Sequence, residues 1–152
     1  MIRIERINHK RAEIIDSINF VSDNFPSSFE EFESSKILMN ALYKQTEFAI
    51  QNVMDICSII NSDLDLGFPQ NDDSILDHIE HNKIFDKKIV SLIRQIKGFR
   101  NILVHKYGEI DDSKAYEDMK DGLQDFGLII KEIENFVKKH KSKKGNLKNK
   151  RF

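Results

Sequence analysis

The chain has 152 residues, of which 39% are hydrophobic and 32% are charged. This length suffices for one compact core and is too short for two ordinary domains. Six Gly and two Pro are few for the many turns of an all-β protein, whereas charged residues in periodic order are typical of amphipathic helices, so we expect an all-α fold.

The composition also excludes several kinds of site. No apolar run approaches the length needed to cross a bilayer, and the amino terminus lacks the apolar stretch of a secretory signal, so we expect a cytoplasmic protein without a membrane partner. Cys57 is the only cysteine, and His9, His78, His81 and His140 lack metal-ligand spacing. The sequence therefore predicts no metal site and no cofactor.

The net charge of −1 conceals an uneven distribution. Lys138–Phe152 contains eight Lys and Arg and no acid, which leaves sixteen basic and 25 acidic residues, a net charge of −9, for the rest of the chain. An acidic body argues against broad duplex binding. We predict a helical bundle over residues 1–140 and a basic, disordered tail over residues 141–152. An arm that attracts RNA is the alternative interpretation of this tail.

Periodic apolar residues locate the first two helices. They predict a first helix from near Ile2 to Asn24. Ser27 to Glu30 has the spacing of a capping box, but Ser34 or Ser35 could equally begin the next helix. The second helix is expected to carry a long apolar stripe, made of Leu38, Leu42, Gln45, Phe48, Ala49, Val53, Ile56 and Ile60.

The remaining elements follow a loop over residues 61–73. We predict a short helix from Ser74 to about His81, then a longer helix that begins at Asp86 and ends near Gly108. Asp112 or Ser113 is expected to cap the last helix. Its apolar stripe consists of Tyr116, Met119, Leu123, Phe126, Ile130, Ile133 and Val137. The chain is thus predicted to form an up-and-down bundle of four to five helices.

The segment 98–107, GFRNILVHKY, places three chemically active residues in an otherwise apolar helix: Arg100, His105 and Tyr107. At about 100° per residue, Ile89 and Ile93 lie about 20° to either side of Arg100 around the helix axis. Arg100 therefore lies in the middle of the apolar stripe. An unpaired guanidinium there is costly, so it must meet a carboxylate, a dimer partner or a ligand phosphate. These three alternatives stay open.

Arg100 and His105 together suit phosphate chemistry. A guanidinium fork can stabilise charge on a pentavalent phosphorus, and an imidazole can take a proton from a ribose 2′-hydroxyl or give one to the departing 5′-oxygen. This pair predicts metal-independent RNA cleavage. However, an offset of five residues separates the two side chains by about 140° on a straight helix. We favour a long Arg side chain reaching round, in a cleft between two subunits.

Other residues near the motif extend this prediction. From Lys87 to Gly108 the chain contains six basic residues and no acid. Arg94 and Lys97 lie beside Arg100, where they could follow a single-stranded RNA backbone, and Lys106 belongs to the same patch. A solvated basic face is the alternative. Tyr107 could hold a phosphate or stack on a base, or it could be a core or interface residue.

The segment 98–107 resembles the signature of the HEPN superfamily and, within it, the HepT-like toxins of prokaryotic HepT/MntA toxin–antitoxin pairs. The similarity extends to Gln51–Asp55, the Gly67-Phe68-Pro69 loop, the region 84–92 and the helix after Asp111, and so covers most of residues 35–137.

The resemblance implies a dimeric all-helical bundle with Arg100 and His105 at an inter-subunit ribonuclease cleft. Asn101, the polar residue after the motif Arg, would orient the site. Tyr107 would be the group to which an MntA-like nucleotidyltransferase antitoxin attaches AMP, placing phosphates beside Arg100 and blocking the cleft.

We therefore predict a homodimeric, metal-independent endoribonuclease toxin that acts on RNA. The main alternative is a non-catalytic helical partner of a nucleotidyltransferase that binds substrate or nucleotide. A third interpretation is a helical dimer in which Arg100 only pairs with an acid.

Overall fold

Residues 2–105 and 108–150 are described in the computed structural model, with side chains described to residue 141. Within these ranges the chain forms helices and no strand, which confirms the all-α class. The helices are α1 (Ile4–Asn24), α2 (Phe29–Ser34), α3 (Lys36–Asp63), α4 (Asp72–His81), α5 (Lys87–His105) and α6 (Asp112–Lys150). The count exceeds the expected four to five because α2 has only six residues, too few to show a helical period.

Both serine signals between the first two predicted helices are used. The Ser28 hydroxyl caps α2 by accepting the Glu31 N–H at 3.2 Å, and the Ser35 hydroxyl caps α3 by accepting the Leu38 N–H at 3.2 Å. The capping serine is thus one residue later than the predicted box at Ser27. The break between the two caps separates α2 from α3, and α2 packs against α3 and α6.

The helix α4 begins at Asp72, two residues before the predicted start. Asn71 and Ser74 form a reciprocal capping box, in which the Asn71 side chain accepts the Ser74 N–H at 2.8 Å and the Ser74 hydroxyl accepts the Asn71 N–H at 3.1 Å. Since α3 also extends to Asp63, the loop is shorter than the predicted segment. This start places Asp72 and Asp73 in the first turn of α4.

The connection from α5 to α6 contains a left-handed residue and a side-chain cap. Gly108 has φ +90°, a conformation that L side chains rarely adopt, as expected of a glycine that follows a helix. The Asp111 carboxylate caps α6 by accepting the Lys114 N–H at 3.2 Å, so the cap lies one residue before the predicted Asp112. The backbone of α6 is helical to Lys150. The division of the chain into a bundle and a tail at residue 140 stays a prediction.

A tyrosine fixes the start of α6 against α3. The Tyr43 hydroxyl donates a 2.6 Å hydrogen bond to the Asp112 carboxylate. Burial raises the pKa of Tyr43, and the bond to Asp112 raises it further. The backbone that follows the motif is therefore held against the first part of α3.

The helix α3 is the centre of the bundle and packs against α1, α2, α4 and α5. Its buried residues cover most of its circumference, and burial raises the pKa of the Cys57 thiol on this helix to about 12. The largest fully buried side chains are Phe32 of α2 and Ile7, Ile14, Leu42, Ile50, Ile56, Ile60, Leu76, Ile79, Ile93, Ile129 and Ile133. No helix among the described residues has the length and apolar content needed to span a membrane.

Candidate functional site

Arg100 lies on α5 with its side chain 18% exposed, against α3 and the start of α4. One terminal nitrogen, Nη1, donates to the Gln51 side-chain oxygen, and the other, Nη2, donates to the Asn101 side-chain oxygen at 3.2 Å. The nearest carboxylate oxygen belongs to Asp72, 3.7 Å from Nη2. The Nε atom is buried and has no hydrogen-bond partner among the described residues.

The charge of Arg100 is only partly compensated within the subunit. Both of its hydrogen-bond acceptors are neutral amide oxygens, and the Asp72 carboxylate is 41% exposed to solvent. The sequence left three partners open for this guanidinium: a carboxylate, a dimer partner or a ligand phosphate. A single chain supplies the carboxylate, and its distance of 3.7 Å is long for an ion pair. The geometry leaves positive charge at the surface for an anion.

Gln51 is itself held in place by an acid. Its amide nitrogen donates to Asp55 at 2.8 Å, and the second Asp55 oxygen pairs with Lys10 at 3.1 Å. With the nitrogen bound to Asp55, the amide oxygen points to Arg100. The contacts form a chain from α1 through α3 to α5 that orients the guanidinium.

Arg94 and Lys97 are each bound by acids of α4. Lys97 pairs with Asp73 at 2.5 Å, and Arg94 pairs with Asp77 at 2.5 Å and with Asp73 at 3.6 Å. The hydrogen bond from Lys97, together with its charge, holds the pKa of Asp73 below its usual value. The part of the acid-free stretch beside Arg100 is therefore not a free positive surface. The sequence signal for this pairing is the acids of α4, which lie outside the basic stretch of α5.

His105 is the last residue of α5 and is exposed. Within the described residues, no hydrogen bond or ion pair joins His105 to Arg100, in agreement with the angle expected between them. Two apolar side chains near this surface are also exposed, Phe48 at 45% and Val104 at 44%. Lys106 and Tyr107 lie outside the described residues.

A groove of 460 Å³ lies on the opposite side of α5 from Arg100. It is lined by Gly98 and Ile102 of α5 and by acids of α6, among them Asp121 and Asp125. Burial raises the pKa of Asp125, and the charge of Asp121 adds to this. Neither Arg100 nor His105 lines the groove, and its acidic rim is unsuited to phosphate.

Known proteins of similar sequence and structure share this arrangement of helices. The mRNA nuclease HepT of Shewanella oneidensis is 23% identical over 100 residues, which cover 66% of this chain and 75% of that protein. The structure of the tri-AMPylated Shewanella oneidensis HEPN toxin in complex with MNT antitoxin superposes with a TM-score of 0.77 at 23% identity, covering 89% of this chain and 99% of the toxin.

A second solved structure has the same fold at lower identity. The cytosolic protein YutE from Bacillus subtilis superposes with a TM-score of 0.66 at 18% identity, covering 86% of this chain and 92% of YutE. At the level of sequence, the model of the family described as Ribonuclease HepT-like matches residues 14–137. The resemblance to HEPN proteins is thereby confirmed, and the chain belongs to the Ribonuclease HepT-like family.

Proposed function

We propose that this protein is a cytoplasmic, metal-independent endoribonuclease and the toxin of a toxin–antitoxin pair, with Arg100 and His105 as its catalytic residues. The observation that carries the proposal is the state of Arg100, whose hydrogen bonds go to neutral amides and whose charge is not closely compensated. Membership of a ribonuclease family and similarity to an mRNA nuclease support the reaction class.

The proposed reaction needs only groups that this chain contains. His105 removes the proton of a ribose 2′-hydroxyl, whose oxygen attacks the adjacent phosphorus. Arg100 stabilises the added negative charge on the phosphorane. The bond from phosphorus to the 5′-oxygen then breaks, an imidazolium returns the proton to that oxygen, and the products carry a 2′,3′-cyclic phosphate and a 5′-hydroxyl. Asn101 orients Arg100 through the contact at 3.2 Å.

We place this chemistry in a homodimer. Arg100 and His105 do not contact each other in one subunit, and a two-fold axis beside α5 would bring the Arg of one subunit to the His of the other. The exposed Phe48 and Val104 give this surface apolar area that a second copy would bury. Phe48 is one turn of α3 from Gln51, and Val104 is one turn of α5 from Arg100.

The proposed partners are RNA and a nucleotidyltransferase antitoxin of the MntA type. A structural relative is described as a tri-AMPylated toxin in complex with MNT antitoxin. AMP attached to Tyr107 would put phosphates next to Arg100 and exclude substrate. In this proposal Arg94, Lys97 and Lys106 bind RNA, and for the first two the phosphates replace the carboxylates of α4.

A second candidate function is a non-catalytic subunit that binds nucleotide for a separate nucleotidyltransferase. The observation that favours it is the occupied state of the guanidinium, in which both terminal nitrogens already have partners from the same chain. The two candidates differ in whether RNA is cleaved.

The test is incubation of purified protein, confirmed free of AMP, with RNA in excess EDTA, beside Arg100→Ala and His105→Ala. We expect the wild type alone to cleave and to leave 2′,3′-cyclic phosphate ends. Circular dichroism checks that both variants keep the helical content of the wild type. Equal cleavage by either variant contradicts the assignment, and an inactive wild-type dimer supports the binding subunit.

A further inference from the structure

A second cleft lies at the end of the bundle farthest from His105. It forms where the turn between α4 and α5 packs on the second half of α6. The Asp86 N–H donates to Glu132 at 3.4 Å, and the rings of Phe85 and Phe136 meet edge to face with centroids 6.2 Å apart. These contacts fix the start of α5 on α6 and enclose a cleft of 490 Å³ beside them.

The lining of this cleft combines an apolar floor with a polar, basic rim. The floor includes Ile84 and Phe136, against which the ring of His140 packs with centroids 4.1 Å apart. The rim includes Lys83 and Lys139, together with the amides Asn82 and Asn135 and one acid, Glu132. Apolar surface beneath ammonium and amide groups fits a nucleotide, whose base packs on the floor while its phosphates meet the lysines.

Among the described residues, the lysines at this end lack the carboxylate partners that the cations near the motif have. Lys83, Lys87, Lys88 and Lys139 are exposed, and none of them forms an ion pair within the part of the chain that the structure describes. Arg94, Lys97 and Arg100, by contrast, each lie within 4 Å of a carboxylate of α4. Among the described cations of α5, those without an ion pair therefore lie at the start of the helix, away from Arg100.

The sequence adds to this charge. The basic segment Lys138–Phe152, with its eight Lys and Arg, begins at the cleft, while the rest of the chain carries a net charge of −9. On an acidic body, a polyanion is attracted first to a basic end such as this one. The nineteen-residue length of α5 separates this end from His105 by about 27 Å.

We infer that the cleft lined by Lys83 and Lys139 binds single-stranded RNA at a distance from the cleaved bond and supplies much of the affinity for long substrates. The inference rests on the proposed ribonuclease function for its substrate class. The cleft would favour the cleavage of long RNA, because only an RNA that reaches from the cleft to His105 binds more tightly through it.

The test compares Lys83→Gln/Lys139→Gln with Lys120→Gln, a control on an exposed lysine of α6 that is nineteen residues from Lys139. Binding of a fluorescently labelled single-stranded RNA is measured by anisotropy over a range of KCl in the His105→Ala background. Loss of two phosphate contacts should lower the slope of log affinity against log salt by about 1.4 and weaken binding about tenfold near physiological salt. The control should bind as the parent does, and a double variant that binds as tightly as the control overturns the inference.

Cleavage separates this inference from the proposed function. With His105 intact, the double variant should show a raised KM and an unchanged kcat on a long RNA, and an unchanged kcat/KM on a trinucleotide, which is too short to reach the cleft. If the wild type cuts no RNA but the double variant loses binding, the ribonuclease proposal fails and the cleft stands. If RNA is cut with the same KM by both, the cleft fails. Lys139→Gln alone, at an exposed position, repeats the comparison if the double variant does not fold.

Discussion

Arg100 depends on neighbours that are far from it in the sequence. A long guanidinium side chain loses rotamer entropy when it is fixed, and a buried Nε without a partner adds a desolvation cost. Gln51 compensates for part of this cost by accepting from Nη1, while Asp55 and Lys10 fix the orientation of the Gln51 amide. Gln51 therefore acts as a positioning residue for the fork that would meet the phosphate.

We predict that Gln51→Leu lowers kcat for RNA cleavage by roughly 10- to 100-fold, because small misplacements of a catalytic group are this costly. Its KM and its unfolding transition should stay near those of the wild type, since Gln51 is exposed. Gln124→Leu makes the same change at an exposed position of α6 and should leave kcat unaltered. Steady-state kinetics with the two variants decide the matter, and a wild-type kcat for Gln51→Leu would exclude the positioning role.

The sequence predicts a site at Arg100 and His105, which stays a prediction, whereas the contacts of Arg100 could not be predicted. Arg100 in an apolar stripe indicated that some polar partner exists. Gln51 is 49 residues away, and although Gln51–Asp55 is part of the family resemblance, no spacing within its own helix indicates a contact with Arg100. Whether Arg100 meets a carboxylate, a partner subunit or a phosphate depends on how α3, α4 and α5 pack. The helical period of one segment does not predict that packing.

The short helix α4 is an acidic counterpart to α5. Asp72, Asp73 and Asp77 lie against the basic face of α5 and occupy Arg100, Lys97 and Arg94 in turn. A substrate phosphate must compete with these carboxylates. The packing of α4 on α5 thus lowers the affinity of the motif surface for polyanions, and it does so without covering Arg100.

Neutralising two of these acids should strengthen RNA binding. We expect Asp73→Asn/Asp77→Asn, which frees Lys97 and Arg94, to steepen the salt dependence of RNA affinity by up to about 1.4 in slope. Asp118→Asn/Asp121→Asn removes the same charge on α6, on the side of α5 opposite Arg100, and serves as the matched control. Anisotropy titrations in the His105→Ala background measure both. Equal slopes for the two double variants would show that Arg94 and Lys97 do not contact RNA.

The start of α4 gives a separate prediction about stability. Asn71→Ala removes the side chain that accepts the Ser74 N–H and should lower the free energy of unfolding by about 1 kcal/mol. Asn71→Ser retains a capping oxygen and should lose much less. Urea denaturation followed by circular dichroism compares the two variants. Equal stabilities would mean that the capping box adds nothing to α4.

Helix types and approximate spans followed from the apolar period, whereas their ends depended on local caps. Ser28, Asn71 and Asp111 each cap a helix, yet each has a polar neighbour that could serve equally by residue type. Only the backbone conformation, set by packing of the flanking helices, selects one of them. The helix α2 was not separable from its surroundings because six residues hold fewer than two turns.

Within one subunit, the bundle places Arg100 and His105 on the same helix but not in contact with each other. The two residues lie on one rigid helix, so no motion of α5 as a body brings them together. In the proposed homodimer the second copy supplies the other half of the site, and the exposed Phe48 of α3 and Val104 of α5 give it apolar surface to bury. A site shared between subunits and a site within one subunit differ in the activity expected when two inactive variants are mixed.

Mixing inactive Arg100→Ala with inactive His105→Ala should restore cleavage. Random exchange of subunits makes half of the dimers mixed. If each site takes its Arg from one subunit and its His from the other, a mixed dimer has one intact site of two, so activity returns to about a quarter of the wild-type value. The measurement is the initial rate of RNA cleavage after the variants are refolded together, with each variant refolded alone as the control. In a site built within one subunit, a mixed dimer contains no intact pair. Cleavage that stays at the level of the single variants, in a sample shown by native mass spectrometry to contain mixed dimers, would therefore place both catalytic residues in the same chain.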